Sequence, residues 1–146
     1  MKKLLYSLLM LTVVAFTACN DDDGPPAVEL NEAQKAFIET KYPGAVIREV
    51  EKSRGGLVEA DIVHDSKQKD VYFKEGGDWL YTKWDILHTD LPEAAKNAVL
   101  EANPDYSIDE VDYVESPTGD FYEVEIKKRG SADKYVNVTA EGLIVD

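Results

Sequence analysis

The sequence predicts an α+β fold of two tandem repeats, each with one helix and about four antiparallel strands. The first observation is an echo, because LNEAQKA at 30–36 recurs 61 positions later as LPEAAKN at 91–97. The second is that a helical period opens each copy. The third is that short alternating segments with Gly-rich turns follow without an intervening helix, which is typical of antiparallel meanders. We therefore expect both helices to pack on one face of the sheet.

The domain is expected to span 28–146, with repeat one at 28–88 and repeat two at 89–146. The same spacing of 61 relates Tyr42-Pro43 to Asn103-Pro104. Farther along, the spacing grows to 64, where VEADI at 58–62 aligns with YEVEI at 122–126. Loops of slightly different length explain that change.

Each copy opens with a predicted amphipathic helix. In the first, Asn31 and Gln34 have the spacing of a capping box, and Pro43 disfavours a helical conformation at Tyr42. The predicted apolar stripe of this helix comprises Ala33, Ala36, Phe37 and Thr40. In the second helix, Pro92 suits the first turn and Pro104 ends the helix in the same way. Its predicted stripe lists Ala95, Ala98, Val99 and Ala102.

The strand signals are apolar residues at every second position. The segments 58–62 and 122–126 alternate in this way, as do 71–73 and 136–138. Glycine-containing turns at 53–56, 76–78, 116–119 and 129–131 separate the strands. If Val71, Phe73, Val136 and Val138 face the helices, the residues between them point to the opposite face.

The segment YPGA at 42–45, the strand EADI at 59–62 and the segment GGDWLYT at 76–82 resemble the PepSY-like family of bacterial secreted proteins. The resemblance covers 28–146. It implies a fold similar to that of β-lactamase-inhibitor proteins, with tandem helix-plus-sheet repeats. It also implies, by analogy of fold alone, that the chain could inhibit a secreted hydrolase.

The N-terminus predicts a lipoprotein signal peptide at 1–18. Lys2-Lys3 precedes an apolar run from Leu4 to Phe16, which is too short to span a bilayer as a helix. Phe16-Thr17-Ala18-Cys19 resembles the lipobox of bacterial lipoproteins, which implies lipid attachment at Cys19; a free or intermolecularly paired cysteine is the alternative. The segment 19–27 is then an acidic, Pro-containing tether.

Asn20-Asp21-Asp22-Asp23 resembles an export signal of Gram-negative anaerobes. It implies an outer-membrane lipoprotein at the cell surface, with a periplasm-facing anchor as the alternative. Loss of 1–18 would change the formal net charge from −13 to −15, because that segment holds Lys2 and Lys3 and no acid. Such a charge disfavours nucleic-acid binding.

No catalytic or cofactor motif stands out, and we predict a non-enzyme without a metal or cofactor. His64 and His88 lie 24 residues apart, with no cysteine near them and no His-Glu spacing of a helical zinc site. Asp61, Asp65 and Asp70 lack the spacing of a calcium loop. No serine lies in a nucleophile-elbow motif. The oligomeric state stays open.

Aromatic and charged residues on the strands are the better functional lead. Tyrosine and tryptophan beside charges are typical of protein-recognition surfaces, although a solvated sheet face shows the same pattern. The predicted ligand face comprises Glu59, Asp61, Tyr72, Lys74, Trp79, Tyr81, Trp84, Glu123, Glu125 and Tyr135. We expect it to bind a protein or peptide; a cation- or carbohydrate-binding lipoprotein is the alternative.

Overall fold

The structure, a computed structural model, describes residues 28–53 and 55–145. The predicted signal peptide, Cys19 and the tether lie outside these residues. The elements in chain order are α1 (Glu32–Lys41), β1 (Val46–Lys52), β2 (Val58–His64), β3 (Lys67–Phe73), β4 (Trp79–Asp85), α2 (Glu93–Ala102), β5 (Ser107–Glu115), β6 (Phe121–Lys127), β7 (Lys134–Val138) and β8 (Ile144–Val145). A short 3₁₀ turn, His88–Asp90, precedes α2.

The strands form one antiparallel sheet of eight, in the order of the chain. The prediction of two tandem helix-plus-four-strand repeats is therefore wrong, because β4 pairs directly with β5 along Thr82–Asp85 and 112–115. Separate four-stranded units would leave two more edges of unpaired backbone groups. Instead, hydrogen bonding runs across the boundary between the predicted repeats, and the fold is a sheet-rich unit with two ten-residue α-helices among the described residues.

Side chains also join the two halves on the face that carries the helices. The Tyr42 hydroxyl, at the end of α1, donates to Glu115 Oε2 on β5 at 2.6 Å. Lys41 Nζ lies 3.5 Å from the same oxygen. The first helix is therefore tied to the second half of the sheet.

The capping prediction for α1 is confirmed. Asn31 accepts from the Gln34 backbone N–H at 3.0 Å, and the Gln34 side chain accepts from the Asn31 backbone N–H at 2.8 Å. The predicted stripe is wrong in part, because Gln34 and Ile38 are buried whereas Ala33, Ala36 and Thr40 are exposed. Gln34 can be buried because its side-chain amide donates to the Lys74 carbonyl. In α2, Ala95 and Val99 are buried as expected.

Two apolar clusters lie between the helices and the sheet. The first packs Ile38 of α1 against buried residues of β2 and β3, including Ala60, Val71 and Phe73. The second packs Val99 of α2 against buried residues of β5 and β6. We call this side of the sheet the helix face. The predicted inward residues of β2, β3 and β6 all lie on it.

Register shifts interrupt the alternation on β1, β4 and β5. On β4, Tyr81 pairs with Tyr72 but Trp79 pairs with Phe73, so Leu80 is the extra residue. A bulge of this kind re-aims the side chains that follow it. The shifts decide which residues reach the other side of the sheet.

Candidate functional site

The side of the sheet opposite both helices is the candidate site, and we call it the open face. On each strand, the open-face residues alternate with the helix-face residues. They pair with one another across neighbouring strands. Ten carboxylates lie on it: Glu49, Glu51, Glu59, Asp61, Asp70, Asp85, Glu110, Asp112, Glu123 and Glu125. Tyr72, Tyr81, Lys83, Tyr135 and Asn137 accompany them. The face is therefore acidic with tyrosines among the acids.

Glu59, Asp61 and Asp70 bring three carboxylates together on β2 and β3. One oxygen from each lies within 4.8 Å of the others, and Asp61 pairs with Asp70 across the strands. Burial, together with the charges of Asp61 and Glu59, raises the pKa of Asp70 to about 6. Burial and the same kind of repulsion also raise the pKa of Asp61. The cluster therefore holds like charges in a partly desolvated place.

A pair of tyrosines lies beside this cluster. The rings of Tyr72 and Tyr81 stack with centroids 4.5 Å apart. The Tyr72 hydroxyl donates to Glu59 Oε1 at 2.8 Å, and burial plus this hydrogen bond raise the pKa of Tyr72. Burial also raises the pKa of Tyr81, so both hydroxyls stay protonated at neutral pH. The pair therefore connects β3 and β4 by ring stacking and reaches Glu59 on β2 by a hydrogen bond.

Lys83 is the central cation of the open face. Its Nζ lies 3.3 Å from Asp112 Oδ2 and 3.4 Å from Glu123 Oε1, so it bridges β4 to β5 and β6. Burial lowers the pKa of Lys83, but the two carboxylates outweigh this and raise it. Asp112 and Glu123 therefore share one cation within the chain, and the three groups together keep a net negative charge.

A hollow of about 600 Å³ opens around Lys83. Residues of β3 and of β7, four strands apart, line the same space, so the open face is concave. Its lining comprises Lys67, Gln68, Asp70, Lys83, Trp84, Asp85, Glu110, Asp112, Glu123 and Tyr135. The hollow offers carboxylates to a ligand, with the exposed Tyr135 at its rim.

Tyr135 and Glu125 mark the far side of the hollow. Tyr135 is 65% exposed, whereas Glu125 is buried beside it on β6. Lys127 Nζ lies 3.5 Å from Glu125 Oε1 and 2.6 Å from Asp109 Oδ2. Tyr135 is the aromatic ring on this face that is most accessible to a partner.

A family model described as "Putative beta-lactamase-inhibitor-like, PepSY-like" matches residues 57–144, more than half of the chain. The chain belongs to the PepSY-like family. The matched range includes every strand that lines the hollow. No curated protein matches the sequence at a significant level.

Solved structures support the fold of this PepSY-like protein. A BLIP-like protein from Bacteroides fragilis NCTC 9343 matches with a TM-score of 0.68 and 21% identity, over 83% of this chain and 86% of that one. A structure described as "putative periplasmic proteins" from Bacteroides eggerthii DSM 20697 gives 0.67 and 18%, over 82% and 88%. A DUF2874 family protein from Bacteroides uniformis ATCC 8492 gives 0.64 and 18%, over 81% and 88%. At these identities the likeness establishes the fold alone.

Among the described residues of this PepSY-like protein, no helix is long and apolar enough to cross a bilayer. The segment with the predicted lipid anchor lies outside that part of the chain.

Seven of the ten predicted ligand-face residues lie together on the open face: Glu59, Asp61, Tyr72, Tyr81, Glu123, Glu125 and Tyr135. The structure separates the other three from them. Trp79 stacks on Phe37 of α1, with ring centroids 5.0 Å apart. Trp84 contributes to the lining of the hollow, but its alternation with Lys83 and Asp85 places its ring on the helix face, where Lys69 Nζ lies 3.0 Å from the ring centroid. Lys74 follows the end of β3, and its Nζ lies 3.8 Å from Asp78.

Sequence reasoning missed seven charged residues of the open face: Glu49, Glu51, Asp70, Lys83, Asp85, Glu110 and Asp112. Asp70 lies two positions before Tyr72 on the same strand, so the alternation that places Tyr72 on the open face also places Asp70 there. The positions of Glu110 and Asp112 follow a register shift between Ile108 and Glu110, which period-two counting from Ile108 does not reproduce. Asp65, considered with Asp61 and Asp70, lies instead in the turn between β2 and β3.

Proposed function

We propose that this chain is a non-catalytic, lipid-anchored envelope protein that binds a protein or peptide through the open face. One observation carries the proposal: a concave sheet face is left uncovered by both helices and combines an exposed tyrosine with many charges. Rigid aromatic side chains framed by polar groups are the usual anchors of protein interfaces. Backbone hydrogen bonds of neighbouring strands on both sides hold the central strands in place.

Site-specific photocrosslinking tests this function. A photoreactive phenylalanine replaces Tyr135 on the open face, and in a matched control it replaces Glu39, which is exposed on α1. Both variants are expressed in their native lipidated form, and intact cells are irradiated. We expect a discrete adduct from position 135 alone. No adduct at 135, or the same adducts at both positions, would contradict the proposal.

We propose further that Cys19 carries the lipid and that the protein lies on the outer face of the outer membrane. The signal-like segment 1–18 and the acidic residues after Cys19 support this, and a structurally similar protein is described as periplasmic. Cys19→Ala should abolish incorporation of an alkyne-labelled fatty acid and release the protein from membranes. Protease added to intact cells should degrade the wild type, whereas full protection would indicate an anchor facing the periplasm.

A second candidate function is inhibition of a secreted hydrolase through the same face. The family description and the name of the Bacteroides fragilis structure favour β-lactamases as the first class to test. Steady-state hydrolysis by a panel of β-lactamases and secreted peptidases, with and without the purified chain, measures this directly. Unchanged rates at micromolar chain would exclude the panel enzymes as targets.

A further inference from the structure

We infer that the partner of the open face presents an exposed basic segment whose arginine side chains enter the hollow around Lys83. The inference rests on the proposed function, because it specifies the chemistry of the partner at that same face. The reasons are the balance of charge on the face, the shape of the hollow and the ring at its rim.

The first reason is that most carboxylates of the open face form no salt bridge with a described residue. Lys83 forms salt bridges with Asp112 and Glu123, and Lys127 lies beside Glu125. Within residues 28–53 and 55–145, the other seven of the ten carboxylates form no salt bridge. A partner with positive charges would meet an attractive potential across the whole face.

The second reason is how the unpaired acids are distributed in the hollow. Asp70, Asp85 and Glu110 line the same space from β3, β4 and β5, around the lysine that holds Asp112 and Glu123. Neighbouring strands are about 4.8 Å apart, so a cation between them can meet carboxylates from more than one strand. The planar guanidinium, with its five donors, suits such a site better than a single ammonium does.

The third reason is the position of Tyr135. Its ring is 65% exposed and lies at the rim of the hollow, where a guanidinium entering the hollow can stack on it. Burial and neighbouring carboxylates raise the pKa of Glu110 and Asp70, and at Asp70 they outweigh the opposite effect of its cross-strand neighbour Lys83. Phosphate-rich partners are disfavoured by the formal net charge of −13.

The test uses the full mature chain, lipidated and in neutral detergent micelles, with three fluorescent octapeptides. One peptide alternates Arg with Thr, one Lys with Thr and one Glu with Thr. The hollow variant is D70N/D85N/E110Q. Its control is E39Q/E93Q/E101Q, which removes the same number of charges from exposed helix positions. A third variant, D70E/D85E/E110D, keeps the charge of the hollow.

Fluorescence anisotropy should show binding of the Arg peptide, about threefold weaker binding of the Lys peptide and no binding of the Glu peptide. The hollow variant should bind the Arg peptide about tenfold more weakly than wild type, which corresponds to about 1.4 kcal/mol of binding free energy. The helix control and the charge-keeping variant should stay within about threefold of wild type. Raising the salt from 50 to 300 mM should weaken the wild-type complex, because the attraction is screened. Circular dichroism melting shows that each variant is folded.

Equal weakening by the hollow variant and the helix control would overturn the inference, since general acidity would then explain binding. It is also overturned if no peptide binds while calcium raises the melting temperature of wild type but not of D70N. A crosslink at position 135 without Arg-peptide binding would leave the proposed function standing and overturn only the basic partner. Absence of that crosslink would instead contradict the proposed function itself.

Discussion

The helix face and the open face are made from the same strands, yet they differ in almost every physical respect. On the helix face, alternate residues such as Ala60, Val71 and Val124 are fully buried beneath α1 and α2. On the open face, their neighbours Asp61, Asp70 and Glu123 carry like charges on a concave surface. The comparison teaches that the apolar contacts that stabilise the fold lie on one side of the sheet, and the surface proposed to bind a partner lies on the other.

The division also limits where a mutation can act. Removing a methyl group from the helix face creates a cavity between helix and sheet, whereas removing a charge from the open face relieves repulsion. Substitutions should therefore have their largest effects on stability at the helix face and their smallest at the rim of the hollow.

The largest effect is expected for Phe73→Ala. Phe73 is fully buried and packs edge-to-face on Phe37, with ring centroids 5.6 Å apart. Its loss should reduce the free energy of unfolding by about 3–5 kcal/mol. Urea unfolding followed by circular dichroism measures the change. A loss below about 1 kcal/mol would show that the first cluster does not support the fold as described.

A smaller effect is expected for Tyr42→Phe. The ring stays in place, but the 2.6 Å hydrogen bond to Glu115 is lost, and with it one link between α1 and β5. The free energy of unfolding should fall by about 1–2 kcal/mol. Tyr113→Phe is the matched control, since its hydroxyl donates to the exposed Asp120. If both variants lose the same free energy of unfolding, the hydrogen bond between α1 and β5 does not stabilise the fold more than a surface hydrogen bond does.

Asp70→Asn should have the opposite sign and stabilise the protein at pH 7. Between about pH 4 and 6 the folded chain holds a proton at Asp70 that the unfolded chain has released, because the pKa is about 6 in the fold against 3.8. This group therefore makes the wild type more stable as the pH falls through that window.

The stabilisation by Asp70→Asn should be about 1 kcal/mol at pH 7, because the carboxyl is partly exposed and its repulsion is screened. It should be clearly smaller at pH 4, where the wild-type carboxyl is protonated in the fold and only partly ionised in the unfolded chain. Denaturant titrations of both proteins at the two pH values measure the difference. An advantage for the variant that is as large at pH 4 as at pH 7 would contradict the assignment.

The smallest effect on stability is expected for Asp85→Asn. Asp85 is exposed at the end of β4 and forms no salt bridge with a described residue. Its neutralisation should change the free energy of unfolding by less than about 0.5 kcal/mol. Thermal melting checks this. A large loss would mean that the rim of the hollow contributes to the fold.

Several features of the fold could be predicted from local patterns. The capping box at Asn31, the end of α1 before Pro43 and the inward residues Ala60 and Ile62 follow from spacing alone. The buried amide of Gln34 could not be predicted in this way, because its partner is the carbonyl of Lys74, forty residues away. The stripe of α1 was therefore misplaced onto small alanines.

The candidate site was predictable where alternation is regular and not where it is broken. Glu59, Tyr72 and Glu123 lie on regular stretches, and counting by two assigns them correctly to the open face. Trp79 and Tyr81 would share a face by the same count. The bulge at Leu80 sends Trp79 to the helices and leaves Tyr81 beside Tyr72.

By itself, the amino-acid sequence determined the helices, most of the strands, their inward residues and the acidity of the chain, because these depend on neighbours a few positions apart. The tertiary structure decided that β4 pairs with β5, so that two predicted repeats are one sheet. It also decided that Lys83 meets Asp112 and Glu123, and that Asp61 meets Asp70. Strand pairing joins residues that are far apart in the chain, and the alternation within one strand does not specify the register of that pairing.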